Sequence, residues 1–558
     1  MILFGVLASC TSGGVASVVT RTAPNSADWE FDKSSPDPDA TPAKDPAKGV
    51  RVVYACSPAE AGVIHGTATQ YIKSGGSTAE VTAIPLYGYE FLGWSDGRAE
   101  RRRAGDSAES DVVITALFRS VDVPMKITVP TLYLNTASGS EIRTKNYERA
   151  TITIVGADKE KHNLTNAGTQ VKGRGNSSWS TAYLGKTLGQ ERWNSTNKEY
   201  EKIDRLDLYK TKNSYTLKLD EAANLLGVGN GKNRDWILQS NKYDLTAGMR
   251  NKFIFMLAES MGTLTWVPHV AWVDLYVNDE YRGLYMIMEK VEASADRVNI
   301  DDKGSDPDKG YLVELDFRVN NDSSKTEGID WFLVPEFHKN DANKREFDIL
   351  SEHGSTAECN FIRDYLIKVD AAIRTRDKTK IEELVDLYSM VDIFIIEELT
   401  KDCDWGATSF YMYKDKGGKL YFTAPWDFDF TMGPYSSGIN INGLISAGTS
   451  GNEWFEQLHN VPWFVEMVQA RMNSLDDDLL GCLVKLEKYA LALKPYADIN
   501  NERWPVYGVN YHEWVSPQVS GLLSTYDEHV AFVYDWVLYR WEILRTYYPA
   551  NSKSPLVK

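Results

Sequence analysis

"VKGRGNSSW", residues 171–179, sets two glycines around an arginine and follows them with Asn, two Ser and Trp. A Gly-x-Gly run lets the main chain approach a ligand closely and turn several N–H groups toward an anion. The same residues also suit a plain hairpin turn, and taken alone the stretch favours that simpler reading. What lies on either side decides. Upstream, "KITVPTLYLNT" and "RATITIVGA" read as strands, and downstream "NSYTLKLD" (213–220) alternates as a strand with Lys218 inside it. "DLTAGMRNKFIFMLAESMG" (244–262) reads as a helix starting at Asp244 or Thr246 and stopping at Gly262. Residues 270–292 read as a hairpin around Asn278-Asp279, although that turn lacks the favoured Asn-Gly. Residues 381–401 carry one strongly periodic helix, and "SFYMYKDKGGKLYFTA" a hairpin running into "PWDFDFTMG". The remainder, 453–548, reads as mostly amphipathic helix.

In order, these parts are a glycine turn, a strand lysine, a helix, a hairpin, a long helix, an Asp-bearing loop, a second hairpin and Asp-x-Asp. Phosphoryl transfer of the protein-kinase kind needs such a series: amides over the phosphates, a lysine to neutralise them, one carboxylate for the acceptor hydroxyl and another for a metal. The residues are Gly173–Ser178, Lys218, Asp404 and Asp427. The two aspartates are 23 residues apart and flank a hairpin, which brings its ends together. Paired acids repel unless a cation lies between them. Each part has a plainer alternative: a solvated lysine, a turn cap, a β-turn. Their joint order carries the expectation.

The 558 residues suffice for two to four domains, and 16 Trp with 30 Tyr argue for packed cores. A net charge of −17 argues against nucleic acid as a partner. The basic run "RAERRR" (98–103) reads as a solvated turn. Five Cys form neither a disulfide framework nor a zinc spacing, and His269 and His338 stand apart, against histidine-metal hydrolysis. "MILFGVLASC" looks like the end of a bacterial lipoprotein signal lacking its basic region, with Cys10 as the lipidated residue. Pro-, Asp- and Ser-rich sequence then runs to residue 48 as a linker, so the only membrane contact expected is through a lipid on Cys10.

Residues 49–120 resemble the small extracellular β-repeat of the Listeria–Bacteroides type, with its turn at Gly88–Gly97. From about 127 to 550 the chain resembles the CotH (spore coat protein H) kinase family, through "VKGRGNSSW", "YTLKLD", "GKNRDWILQSNKYDLTAGMRN", "LYVNDEYRGLYMIMEKVE" and "ELTKDCDW…SFYMYKD…KLYFTAPWDFDFTMG". The resemblance implies an α+β, atypical protein-kinase-like two-lobed fold behind the small all-β repeat domain. Its boundaries are 1–9 signal remnant, 10–48 linker, 49–120 repeat and 125–550 kinase-like domain, with a β-rich N-lobe to about 292 and a helical C-lobe over about 293–550. It implies that Gly173, Arg174, Gly175, Asn176, Ser177 and Ser178 cradle ATP phosphates and that Lys218 pairs with them. Glu289 is placed where the adenine passes, and Arg250 and Asn251 steady the lysine or the phosphates. Asp404, with Asp402 as rival, orients the acceptor; Asp427, Asp429 and Ser409 bind Mg²⁺ or Mn²⁺. Ser409 stands where ordinary kinases have Asn, a weaker second ligand. The expected activity is transfer of the ATP γ-phosphoryl group to protein Ser/Thr hydroxyls, by an exported lipoprotein of the cell envelope. The alternative is an inactive kinase-like scaffold, a surface adhesin or glycan binder stacking sugars on Trp454, Trp463, Trp504 or Trp514.

Overall fold

Seven strands between residues 131 and 289 close on themselves into a barrel, which removes exposed sheet edges. The computed structural model describes residues 3–4, 21–22, 49–73, 75–338, 345–435, 440–448, 451–512 and 515–549. Cys10 and nearly all of the expected linker lie outside the described residues. The chain divides into two units: residues 1–125 with Leu483–Ala492, and Lys126–Cys482 with Leu493–Lys558.

In the first unit, a four-stranded and a three-stranded sheet enclose a core containing Val52, Tyr54, Ala83, Trp94 and Phe118. The expected solvated turn at 98–103 is a correction. Arg102–Arg103 is a short strand, and Arg101 and Arg103 are buried. The Arg103 guanidinium lies 4.8 Å from the Trp94 ring centroid and pairs at 2.7 Å with both Asp96 and Asp106. Two carboxylates and an aromatic face make burial of that cation tolerable.

In the second unit, the barrel strands are β1 (Thr131–Thr136), β2 (Glu148–Val155), β3 (Leu164–Arg174), β4 (Ser214–Ala223), β5 (Asn233–Gln239), β6 (Val270–Val277) and β7 (Glu280–Glu289). Their order around the barrel is β1-β2-β3-β4-β5-β7-β6, and β6 closes on β1 in parallel. Alternation sends Leu132, Leu134, Leu217, Trp236, Leu238, Tyr285 and Ile287 inward, where they fill the barrel. Their neighbours point out; on β4 these are Ser214, Thr216 and Lys218. The hairpin at Asn278-Asp279 forms as expected: both residues adopt left-handed φ, 48° and 65°, as a primed two-residue turn requires.

Helix α1 (Met249–Met261) starts later than its sequence signal, because Ala247 and Gly248 both take left-handed φ. The expected long helix at 381–401 is two. Helix α2 (Thr356–Thr375) precedes α3 (Lys378–Leu384), and α4 (Leu387–Thr400) follows an extended Val385 and an Asp386 cap that accepts from the Ser389 N–H at 2.8 Å. The region expected to be helical from about 293 carries a five-stranded sheet as well. Its strands are β8 (Tyr311–Leu315), β9 (Trp331–Leu333), β10 (Glu346–Ile349), β11 (Phe410–Lys414) and β12 (Leu420–Thr423), ordered β9-β10-β8-β11-β12. Strands of three to five residues leave little period to read. Long helices Pro462–Arg503 and Tyr526–Tyr547 follow, as anticipated.

Candidate functional site

The outer face of the barrel at β3, β4 and β5 forms one wall of a cavity of about 440 Å³, wholly within the second unit. That volume suits a small-molecule ligand. Gly173 through Ser178 line it, each for a local reason. A Cβ at Gly173 would lie 2.1 Å from the Trp179 ring, and Gly175 has φ of 101°. The Tyr243 hydroxyl donates to the Ser177 carbonyl at 2.9 Å. The Lys242 ammonium donates to the carbonyls of Ser178 and Lys210, and the Lys145 ammonium to Asn176 Oδ1 at 3.1 Å. These bonds hold the glycine turn in place at the cavity wall.

Register places the lysines. Lys172 pairs across with Thr216, and Gln170 with Lys218. The row of Lys172, Thr216 and Met288 reaches the cavity; the row of Lys218 lies two residues, about 7 Å, further along the same outer face and does not line it. Lys172 went unrecognised in the sequence, where its only signal was alternation with Arg174. Burial lowers the pKa of its ammonium, and Lys290 and Arg174 lower it further. Among the described residues no carboxylate lies within 4 Å of it; its ammonium sits 4.7 Å from the Tyr147 ring centroid.

Glu289 points away from the cavity. Its carboxylate accepts from His269 N at 3.1 Å and contacts His269 Nδ1 at 2.7 Å, while Met288, Lys290, Val291 and Glu292 form the wall. Arg250 is likewise turned inward: it pairs with Asp244 at 2.5 Å, both sealed from solvent, and Nε donates to the Thr431 carbonyl. Asn251, the next residue, lines the cavity.

The opposite wall is acidic. Asp404 faces the cavity, and its own carbonyl accepts from Ala407 and Thr408 at 2.8 and 3.0 Å. Asp402 is buried behind it, accepting from the Asp404 N–H at 2.9 Å. Burial and then repulsion from Asp404 hold Asp402 well above the usual carboxylate range, and Glu397 beside it is raised by burial and by Asp402. Of the two rivals, only Asp404 lines the cavity.

Asp427 takes left-handed φ and ψ of 68° and 44°, a conformation Asp tolerates better than most residues. The Ser409 hydroxyl reaches Asp427 Oδ2 at 3.5 Å. Burial raises the pKa of Asp404, Asp427 and Asp429; Asp427 adds to the rise on the other two, while Arg174 and Arg318 pull Asp427 down. Asp427 meets water through the cavity mouth, whereas Asp429 is only 6% exposed, so the upward push is stronger on Asp429. Mutually repelling carboxylates of this kind favour a bound cation.

Among the described residues, no group of three or more His, Cys, Asp or Glu is gathered for metal coordination. The hard oxygen donors of Asp427, Asp429 and Ser409 nevertheless fit Mg²⁺. That ion keeps several waters and takes only one or two carboxylates alongside phosphate oxygens.

Three further residues of the wall were not foreseen. Glu314 and Asp316 alternate on and just past β8, and Arg318 follows them. Burial, then Asp316 and Asp348, raise Glu314 to about 8. The charge is therefore unevenly divided: Lys145, Lys172, Arg174 and Lys290, with Glu292 3.7 Å from Lys290, come from the barrel side, and Glu314, Asp316, Asp404, Asp427 and Asp429, with Arg318 among them, from the other.

Outside the cavity, Trp454 and Trp504 are 1% exposed and belong to the core. Trp463 donates its indole N–H to the Arg376 carbonyl, and Trp514 lies outside the described residues. Cys56, Cys359, Cys403 and Cys482 are free thiols.

Comparison with known families gives two matches. The model described as "Divergent InlB B-repeat domain" matches residues 52–122, and the model described as "CotH kinase protein" matches residues 200–544, more than half of the chain. The second match begins after the glycine turn, whose place in the site rests on the cavity geometry. No curated protein matches the chain. With the family match covering Asp404, Asp427 and most of the walls around them, the chain belongs to the CotH kinase family.

Proposed function

We propose that the protein is an atypical kinase that transfers the γ-phosphoryl group of ATP to Ser or Thr hydroxyls of a protein acceptor. One observation carries this reading: the glycine-turn amides with Arg174, and the carboxylates of Asp404 and Asp427, line a single cavity large enough for a nucleotide. A mainly cationic wall suits phosphates, and an acidic wall suits a metal and an acceptor hydroxyl. Met288, Val291 and Leu350 supply apolar surface for a base.

In this mechanism the amides of Gly175–Ser178, with Arg174 and Lys172, hold the phosphates in line for attack, while the Gly173 N–H is taken by the Thr144 carbonyl. Asp404 accepts the proton of the acceptor hydroxyl as its oxygen bonds to the γ-phosphorus. The bond from that phosphorus to the β–γ bridging oxygen breaks, leaving ADP and a phosphate monoester on the acceptor. Asp427, with Asp429 and Ser409, would hold Mg²⁺ or Mn²⁺, which supplies neutralisation of phosphate charge. Asn251 keeps the Asp427 turn in place by accepting from the Phe428 N–H.

We place this activity at the cell envelope, with a lipid on Cys10 as the anchor and the repeat between anchor and enzyme. The repeat match supports this. The test is phosphate transfer from γ-labelled ATP with Mg²⁺ to a panel of proteins and to the enzyme itself. Asp404→Asn and Asp427→Ala are each expected to lower the rate by about 10² to 10⁴. Transfer by Asp427→Ala at the parent rate would overturn the proposal.

A further inference from the structure

We infer that Arg318 is the residue that neutralises the phosphoryl group during transfer, a guanidinium carried by the Asp404 side of the cavity rather than by the barrel. This rests on the kinase reading above. Arg318 follows β8 in the segment Asp316-Phe317-Arg318, and it lines the cavity together with Asp404 and Asp427. The segment is bolted to the loop that carries Asp404. The Phe317 N–H donates to the Ala407 carbonyl at 2.9 Å. Asp316 Oδ1 accepts from Arg318 N at 3.1 Å, from Arg318 Nε at 3.0 Å and from the Thr408 hydroxyl at 3.1 Å. Arg318 Nη2 donates to Thr408 Oγ1. Thr408 N in turn donates to the Asp404 carbonyl at 3.0 Å. Asp404, Thr408, Arg318 and Asp316 therefore move as one piece.

This hold leaves one edge of the guanidinium for a ligand. Nε and Nη2 are engaged, while Nη1 donates no hydrogen bond among the described residues. Arg318 shares the cavity wall with Asp404 and Asp427, the two groups that flank the transferred phosphorus. Charge develops there in the transition state, and a planar, pre-oriented donor stabilises it without reorganisation. Arg174 is the other guanidinium of the cavity, but it extends from β3 beside the glycine turn and lies 5.7 Å from the Trp426 ring centroid. It suits phosphates that stay with the nucleotide.

The two roles separate by ligand. Titration of the full chain with Mg·ADP, and with Mg·ADP plus aluminium fluoride as a mimic of the transferring group, distinguishes ground-state from transition-state binding. Arg318→Ala is expected to bind Mg·ADP within about threefold of the parent and the fluoride complex on the order of 100-fold more weakly. Added guanidinium ion is expected to restore part of that loss, which a structural defect would not show. Arg318→Lys provides the same comparison if the alanine variant does not fold, with an expected loss of about 10-fold. A parent protein that binds neither complex overturns the kinase reading, and this inference with it. A parent that binds both, beside an Arg318 variant that binds both equally well, overturns this inference alone.

Discussion

Asn251 and Phe428 are joined by a hydrogen bond of 3.0 Å, in which the Phe428 N–H donates to Asn251 Oδ1 across 177 residues of chain. Phe428 opens the turn that follows Asp427, so this bond fixes the carboxylate in its left-handed conformation. Asn251→Ala leaves a buried N–H without a partner and is expected to cost about 1–3 kcal/mol of stability. Phosphate transfer is expected to fall at least about tenfold, because Asp427 is no longer held. Thermal unfolding and initial rates check both; a rate equal to the parent's contradicts the assignment.

Arg250 was expected among the phosphates, and the structure gives it another task. With Asp244 it makes an ion pair sealed from solvent, and it also holds the Thr431 carbonyl. Removing one member of such a pair strands the other charge, so Arg250→Met is expected to destabilise the protein by about 3–5 kcal/mol. At a temperature where the variant is folded, its nucleotide affinity is expected to match the parent's. Weak binding by fully folded Arg250→Met would return the residue to the site.

Lys172 and Lys218 separate two readings of the same outer barrel face. Lys172→Ala is expected to weaken Mg·ATP binding about tenfold, through loss of a cation from the phosphate wall. Lys218→Ala, one row further along β4, is expected to leave binding within about twofold. Calorimetric titration of both variants decides; the reverse ranking restores Lys218 as the phosphate lysine.

Glu358, at the start of α2, predicts a pH dependence of stability. Burial pushes its carboxyl up, but bonds from Lys309 at 2.6 Å, the Ser355 hydroxyl at 2.7 Å and the Gly354 N–H at 3.0 Å outweigh that and hold it at about 2. A depressed acid stabilises the fold above its ordinary pKa and loses that contribution as pH falls through the folded value. The loss therefore runs from about pH 4.5 down to about 2. Glu358→Gln is expected to cost about 1–3 kcal/mol at neutral pH and nothing near pH 2, read from denaturant midpoints. A cost independent of pH contradicts this.

Local pattern made much of this legible. Alternation marked β4 and the β6–β7 hairpin, and the spacing of Asp404 and Asp427 around a hairpin foretold that both face one cavity. What sequence could not carry was register and long-range pairing. Lys218 stood out because it interrupts an apolar strand, yet Lys172 on β3 reaches the cavity and Lys218 does not. Glu289 lost its expected role to strand alternation, which turns Met288 and Lys290 to the cavity and Glu289 to His269. Arg103 read as solvated because its buried state depends on where Asp96, Asp106 and Trp94 fold around it. Arg318 had no motif at all; tertiary bonds to Thr408 place it.

A crystal structure of the protein with Mg²⁺ and a non-hydrolysable ATP analogue tests the central claim most directly. The account predicts the α- and β-phosphates within hydrogen-bond distance of Arg174 and the amides of Gly175–Ser178, with the metal on Asp427 and the γ-phosphate facing Asp404 and Arg318. A nucleotide bound elsewhere, or one that touches the glycine turn while Asp427 contacts neither metal nor phosphate, would contradict it.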